Sequence, residues 1–260
     1  MRLSRVVGGI AAAALLAGCG PSADGASGSS GSPSPRIGGT VTVFAAASLT
    51  GSFTELGRRF QAANPGVRIR FNFGPSSGLA QQILNGAPAD VFASASTKNM
   101  DQVVTGGEAS GPAPFASNVL RIAVPPDNPA KVASLADLAR PGVKVALCEP
   151  RVPCGAVAEK VLGNAKVTVK PVTLGQDVKA VLTAVRVGEV DAGLVYATDV
   201  KAAGAAVAGI EIPAGVNAAT TYPIAVTRAA AGDAAARAFV DYVLSAGGRA
   251  VLGEAGFAAP

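Results

Sequence analysis

The 260-residue chain is 49% hydrophobic but only 5% aromatic and contains no Trp and no His, which supplies apolar material for one large core or two modest cores of small side chains. Without His, Ser-His-Asp and Cys-His catalysis and ordinary zinc sites are excluded. The 22 basic and 17 acidic residues form no extended run of one sign, and the alternation of Arg68 and Arg70 reads as a strand's solvent face, so no nucleic-acid footprint is expected.

Met1 to Val7 carries two arginines, Gly8 to Ala17 is apolar, and Leu16-Ala17-Gly18-Cys19 follows. The apolar stretch is too short to remain as a membrane-spanning helix. Small residues ahead of a cysteine at its end are the pattern of a bacterial lipoprotein signal, with Cys19 supplying the thiol to be acylated. Residues 1–18 are therefore expected to be removed, taking Arg2 and Arg5 with them and leaving 20 basic against 17 acidic residues. Residues 19–38, rich in Gly, Ser and Pro, read as a flexible tether with a reach of about 25 Å. The expected location is extracytoplasmic, anchored to the cell membrane by lipid on Cys19.

Beyond the tether, Thr40 to Ala46 reads as a strand, and Leu49, Phe53, Leu56 and Phe60 fall at helical spacing before Asn64-Pro65-Gly66 stops the helix. Val67 to Phe73 makes a second strand, Leu79 and Ile83 belong to a helix ending at Gly86, and Asp90 to Ala95 makes a third strand. After a break the rhythm restarts with a strand at Val119 to Val124, a short helix at Leu135 to Leu138, and a strand at Val143 to Leu147 leading into a helix through Leu162. Asp177 to Val187 is helical, Ala192 to Tyr196 and Thr221 to Val226 are extended, and Ala234 to Leu244 is an amphipathic helix near the end. Alternating strands and helices predict an α/β fold with parallel pairing.

In such sheets ligands bind beyond the carboxyl ends of strands, where helix amino termini aim unpaired N–H groups at one spot. The junctions at Ala45 to Leu49, Gly74 to Gly78, Val152 to Gly155 and Gly175 to Val178, together with Tyr196 at a strand end, offer hydroxyls and helix-start amides and no Lys or Arg. Donors of this kind neutralise an anion by dipoles. Each serine or Asp177 read singly is equally a helix cap; the signal is the coincidence of several such junctions in both halves.

Val41 to Thr50, Gly86 to Ala95, Gln176-Asp177-Val178-Lys179, Gly193-Leu194-Val195-Tyr196 and Tyr222 to Val226 together resemble the molybdate-binding receptors of bacterial ABC importers, over essentially the whole folded chain. The resemblance implies a type II periplasmic-binding fold of two α/β lobes, residues 39–116 with 227–260 and residues 117–226, which close like a hinge on a ligand in the cleft between them. It implies capture of molybdate and tungstate and delivery to a membrane permease, by a monomer without enzyme activity, cofactor or free metal cation. The implied ligands are the hydroxyls of Ser48, Ser76 and Tyr196 and the backbone N–H groups of Cys154 and Val178. Ser77 stands as a substitute for Ser76, and Pro153-Cys154-Gly155 departs from the Pro-Ala-Gly frequent in the family.

Cys148 and Cys154, six apart in a chain that works outside the cytoplasm, are expected to form a disulfide. Two sulfurs without His make a poor metal site. The alternative ligand is sulfate, thiosulfate or another tetrahedral oxyanion; protonated phosphate would call for an acceptor such as Asp. Ferric capture would need paired oxygen ligands, and Tyr196, Tyr222 and Tyr242 are far apart in sequence. A hydrolase would need a nucleophile with a base; Gly74-Pro75-Ser76-Ser77-Gly78 has the G-x-S-x-G spacing, but the chain has no His to serve it as base and no S-x-x-K motif.

Overall fold

The computed structural model describes residues 37–260; the expected signal sequence, Cys19 and nearly all of the tether lie outside the described residues. The folded chain is a mixed α/β structure. The first half opens with β1 (Gly39–Ala46), a 3-10 turn (Ala47–Leu49), α1 (Thr50–Ala63), β2 (Val67–Gly74), α2 (Ser76–Leu84), β3 (Val91–Ala93) and α3 (Thr97–Thr105). Next come β4 (Ala113–Val124), β5 (Val145–Cys148), α4 (Pro153–Ala165), β6 (Thr173–Gly175), α5 (Val178–Arg186) and β7 (Ala192–Tyr196). The chain closes with α6 (Ala197–Ala203), β8 (Ala208–Glu211), β9 (Ala219–Val226), α7 (Ala234–Leu244) and α8 (Ala246–Ala255).

The strands form one sheet in the order β2-β1-β3-β9-β4-β7-β5-β6, with β8 paired to β4. Pairing is parallel inside each half, β1 with β2 and β3, and β5 with β6 and β7. The joins are antiparallel: β9 with β3 and β4, and β4 with β7 and β8. The rhythm of strands and helices predicts parallel pairing throughout, and the middle of the sheet departs from it for a topological reason. β4 carries the chain out of the first half and β9 carries it back, so the two run in opposite directions and need no helical crossover to pair.

Alternation along the strands divides the core. Val41, Val43 and Ala45 of β1 face a cluster with Phe53, Leu56 and Phe60 of α1 and Phe239 of α7, whereas Phe44 faces the opposite side with Leu79, Ile83, Phe92 and Met100. A separate cluster holds Leu120, Ile122, Val145, Val161, Val181, Val185 and Leu194. β4 threads both, with Phe115 and Ala116 in the first core and Leu120 and Ile122 in the second, while Tyr222 and Ile224 of β9 pack in the first. Phe53 is fully buried and touches the rings of Phe71, Phe115 and Phe239 edge-on or tilted, so truncation to Ala should cost about 3–5 kcal/mol.

Local chemistry sets the helix ends. Asn64-Pro65-Gly66 ends α1 because Pro cannot continue a helix and disfavours the helical conformation in the residue before it. Asp177 caps α5 by accepting from the Ala180 N–H, and Asp233 caps α7 by accepting from Ala235 and Ala236.

Candidate functional site

Register brings the junctions together. Ala46 of β1 pairs with Gly74 of β2, so the chain leaves both strands at the same sheet edge, with Ser48 in the 3-10 turn and Ser76 opening α2. In the second half Cys148 pairs with Gly175, so α4 and α5 begin side by side, Cys154 in the first turn of one and Val178 opening the other. β7, the other neighbour of β5, ends at Tyr196, the N-cap of α6. All five sequence-predicted residues line one cavity of ≈ 20 Å³, with Ala95, Pro153 and Asp177 also on its wall. On a scale where a single water needs roughly 10–15 Å³, this takes one compact ligand and no extended organic molecule.

The cavity presents donors. Tyr196 is 1% exposed, and its hydroxyl is the one buried side-chain polar atom among the described residues with no hydrogen-bond partner. Burial first, then the neighbouring Tyr222 and Asp199, pushes this phenol well above its ordinary pKa, so it stays protonated. Ser76 Oγ accepts the N–H of Ala95 at 3.0 Å, which leaves its own proton for a ligand. The Ser48 and Tyr222 hydroxyls lie 3.0 Å apart; with Tyr222 donating, the Ser48 proton is likewise free to turn into the cavity. Neither α2 nor α4 has a side-chain cap, and the first-turn N–H groups of a helix have no intrahelical acceptor. Of the three residues that could be simple caps, only Asp177 is one, and its Oδ1 is held by the Ala180 N–H at 2.9 Å. No Lys or Arg lines the cavity. Ser77, half-buried beside Ser76, is not on its wall.

The sulfurs of Cys148 and Cys154 are bonded, with Cα atoms 5.8 Å apart, joining the end of β5 to the first turn of α4. The enclosed loop packs closely: a Cβ on Gly155 would sit 1.9 Å from the Glu149 carbonyl oxygen, so only glycine fits next to Cys154.

Two features escape the sequence reading. Tyr222, fully buried on β9, bonds Ser48 across 174 residues and meets the Tyr196 ring edge-on at 6.2 Å. Behind Tyr196, the buried Asp199 is paired with Lys179 at 2.7 Å. Neither pairing leaves a local signal in the sequence; a tyrosine at a strand's centre reads as ordinary core.

The profile of a family described as bacterial extracellular solute-binding protein matches residues 41–258. The chain is 42% identical over 222 residues to the molybdate-binding protein ModA of Mycobacterium tuberculosis (strain ATCC 25618 / H37Rv), covering 85% of each chain. Its fold is similar to that of the periplasmic molybdate-binding protein of Azotobacter vinelandii, with a TM-score of 0.76 at 22% identity over 85% of this chain and 99% of that one. It is also similar to the sulfate-binding protein SubI of Mycobacterium tuberculosis H37Rv, with a TM-score of 0.74 at 18% identity over 85% and 86%. These neighbours share the type II periplasmic-binding fold expected from the sequence.

Proposed function

The chain belongs to the bacterial extracellular solute-binding proteins, receptors that work outside the cytoplasm, and on that premise we propose that it captures molybdate, and tungstate with it, for an ABC permease. The observation that carries this reading is the unpartnered, buried Tyr196 hydroxyl in a small cavity lined by donors from both halves of the sheet. An unpaired buried polar group costs about 1–3 kcal/mol, and an oxyanion bonded there removes that cost. Fully deprotonated dianions are acceptors only, matching amides that only donate and hydroxyls whose protons are free to turn into the cavity.

In this reading Ser48 and Ser76 supply hydroxyls from one lobe, and Cys154, Val178 and Tyr196 supply two amides and a hydroxyl from the other. The lobes are residues 39–116 with 227–260 and residues 117–226, with β4 and β9 as the strands that cross between them and flex on closure. The Cys148–Cys154 bond holds the Cys154 amide in place. The receptor acts as a monomer without catalysis, tethered through residues 19–38 to lipid on Cys19 after removal of residues 1–18. The similarity to mycobacterial ModA over 85% of both chains supports molybdate over sulfate as the ligand.

A thermal-unfolding series of the soluble domain with molybdate, tungstate, sulfate and phosphate tests the assignment. Molybdate at a hundred times its Kd should stabilise by about 2.7 kcal/mol, roughly 5–10 °C for a domain of this size. A shift with sulfate and none with molybdate would assign the receptor to sulfate instead.

A further inference from the structure

A buried ion pair stands directly behind the donors of the second half. The Asp199 side chain has no exposure. Its Oδ1 accepts from Lys179 Nζ at 2.7 Å, and its Oδ2 accepts from the backbone N–H of Tyr196 at 3.2 Å. Lys179 follows Val178 in the first turn of α5. Its side chain is 34% exposed and reaches a neighbouring cleft whose other wall includes Ser48 and Glu55. The pair therefore bridges the starts of α5 and α6, the two elements that carry the Val178 amide and the Tyr196 hydroxyl.

The charges explain why the bridge matters. A dianion in the cavity would lie near two carboxylates, Asp177 on the wall and Asp199 behind Tyr196. Burial raises the Asp199 pKa and the adjoining Lys179 ammonium opposes that rise, favouring the carboxylate; the carboxylate in turn adds, after burial, to the raised pKa of both Tyr196 and Tyr222. Repulsion between like charges is weakly screened in a dry interior. Among the described residues, Lys179 is the one cation paired with Asp199.

We propose that Lys179 is a positioning residue for the anion site: its ammonium offsets the Asp199 carboxylate and braces the first turns of α5 and α6, so that a cavity of uncharged donors can accept a dianion. This rests on the oxyanion reading of the site. Lys179 does not touch the ligand; it acts through Asp199.

The test is calorimetric titration of molybdate into the wild type, Lys179→Met, Asp199→Asn and the double variant, with the thermal midpoint of each measured without ligand. The wild type should bind; Lys179→Met should bind about tenfold more weakly or worse, because a buried charge is left uncompensated. Asp199→Asn, which keeps an acceptor for the Tyr196 N–H, should bind several-fold more tightly, and adding Lys179→Met should return the affinity to near the wild-type value. That recovery separates charge compensation from a packing role, in which the double variant would be as weak as Lys179→Met. Equal affinities for wild type and Lys179→Met, or no recovery in the double variant, would overturn the proposal. Should Lys179→Met fail to fold, the comparison of wild type with Asp199→Asn decides, since unchanged or weaker binding by Asp199→Asn contradicts it. Failure of the wild type to take up molybdate would instead overturn the reading of the site.

Discussion

Tyr196 and Tyr222 sit in one buried cluster with rings 6.2 Å apart, yet their hydroxyls have different fates. Tyr222 is satisfied by Ser48 at 3.0 Å, whereas Tyr196 has no protein partner. Removing each hydroxyl should therefore read differently. Tyr196→Phe should leave the unliganded domain as stable as before or slightly more so, since it deletes an unpaired polar atom. It should weaken molybdate binding by roughly 10–100-fold, the worth of a hydrogen bond to a charged group of about 1.5–3 kcal/mol. Tyr222→Phe should lower the unfolding midpoint, because Ser48 loses its partner, and weaken binding by a smaller factor by freeing the Ser48 hydroxyl to turn away. Paired titrations and melting curves check both; the opposite ordering of the two affinities would mean that Tyr196 is core and Tyr222 the ligand. What the sequence makes legible at this scale is the strand-to-helix junctions on which Ser48, Ser76, Cys154 and Val178 stand; the choice of these residues within the junctions comes from the family resemblance. The partners at their backs are not legible, because the Ser48–Tyr222 and Lys179–Asp199 contacts join residues 174 and 20 apart without any periodic pattern.

Helices and strands were legible in proportion to their apolar pattern. α1, with Phe53, Leu56 and Phe60 on one face, stands out. α3 does not, because among its nine residues only Asn99, Met100 and Val103 are buried and its exposed residues are polar. β4 reads too short from the sequence because Pro114 breaks the strand pattern; in the fold Pro114 sits at a register shift against β9, where a missing N–H is tolerated. β6 and β8 are three and four residues long with largely exposed side chains, below what alternation can reveal. The same scale governs the start of α4. Closing the short Cys148–Cys154 loop contributes about 2 kcal/mol through chain entropy, so reduction should lower the unfolding midpoint by roughly 4–8 °C and weaken oxyanion binding by loosening the Cys154 amide. Gly155→Ala, whose methyl would collide with the Glu149 carbonyl, should weaken binding with the disulfide intact. Binding unchanged by both perturbations would remove the start of α4 from the site.

Across the whole molecule, one sheet carries two apolar clusters in its first half and one in its second, and β4 and β9 pair where the halves join. The proposed receptor acts by bringing donors from both sides onto one ion, so neither side alone holds the ligand and closure completes the coordination. The alternation of strands and helices is enough to announce an α/β fold; the antiparallel middle of the sheet is a consequence of the chain crossing out and back, which periodicity does not encode. The most direct test is a crystal of the soluble domain grown with molybdate, with the metal located by its anomalous scattering. The account requires one molybdenum peak per chain in this cavity, with oxyanion oxygens within roughly 3 Å of the Ser48, Ser76 and Tyr196 hydroxyls and of the Cys154 and Val178 nitrogens. A fully occupied peak elsewhere, or a cavity that stays free of molybdenum at saturating molybdate, would contradict it.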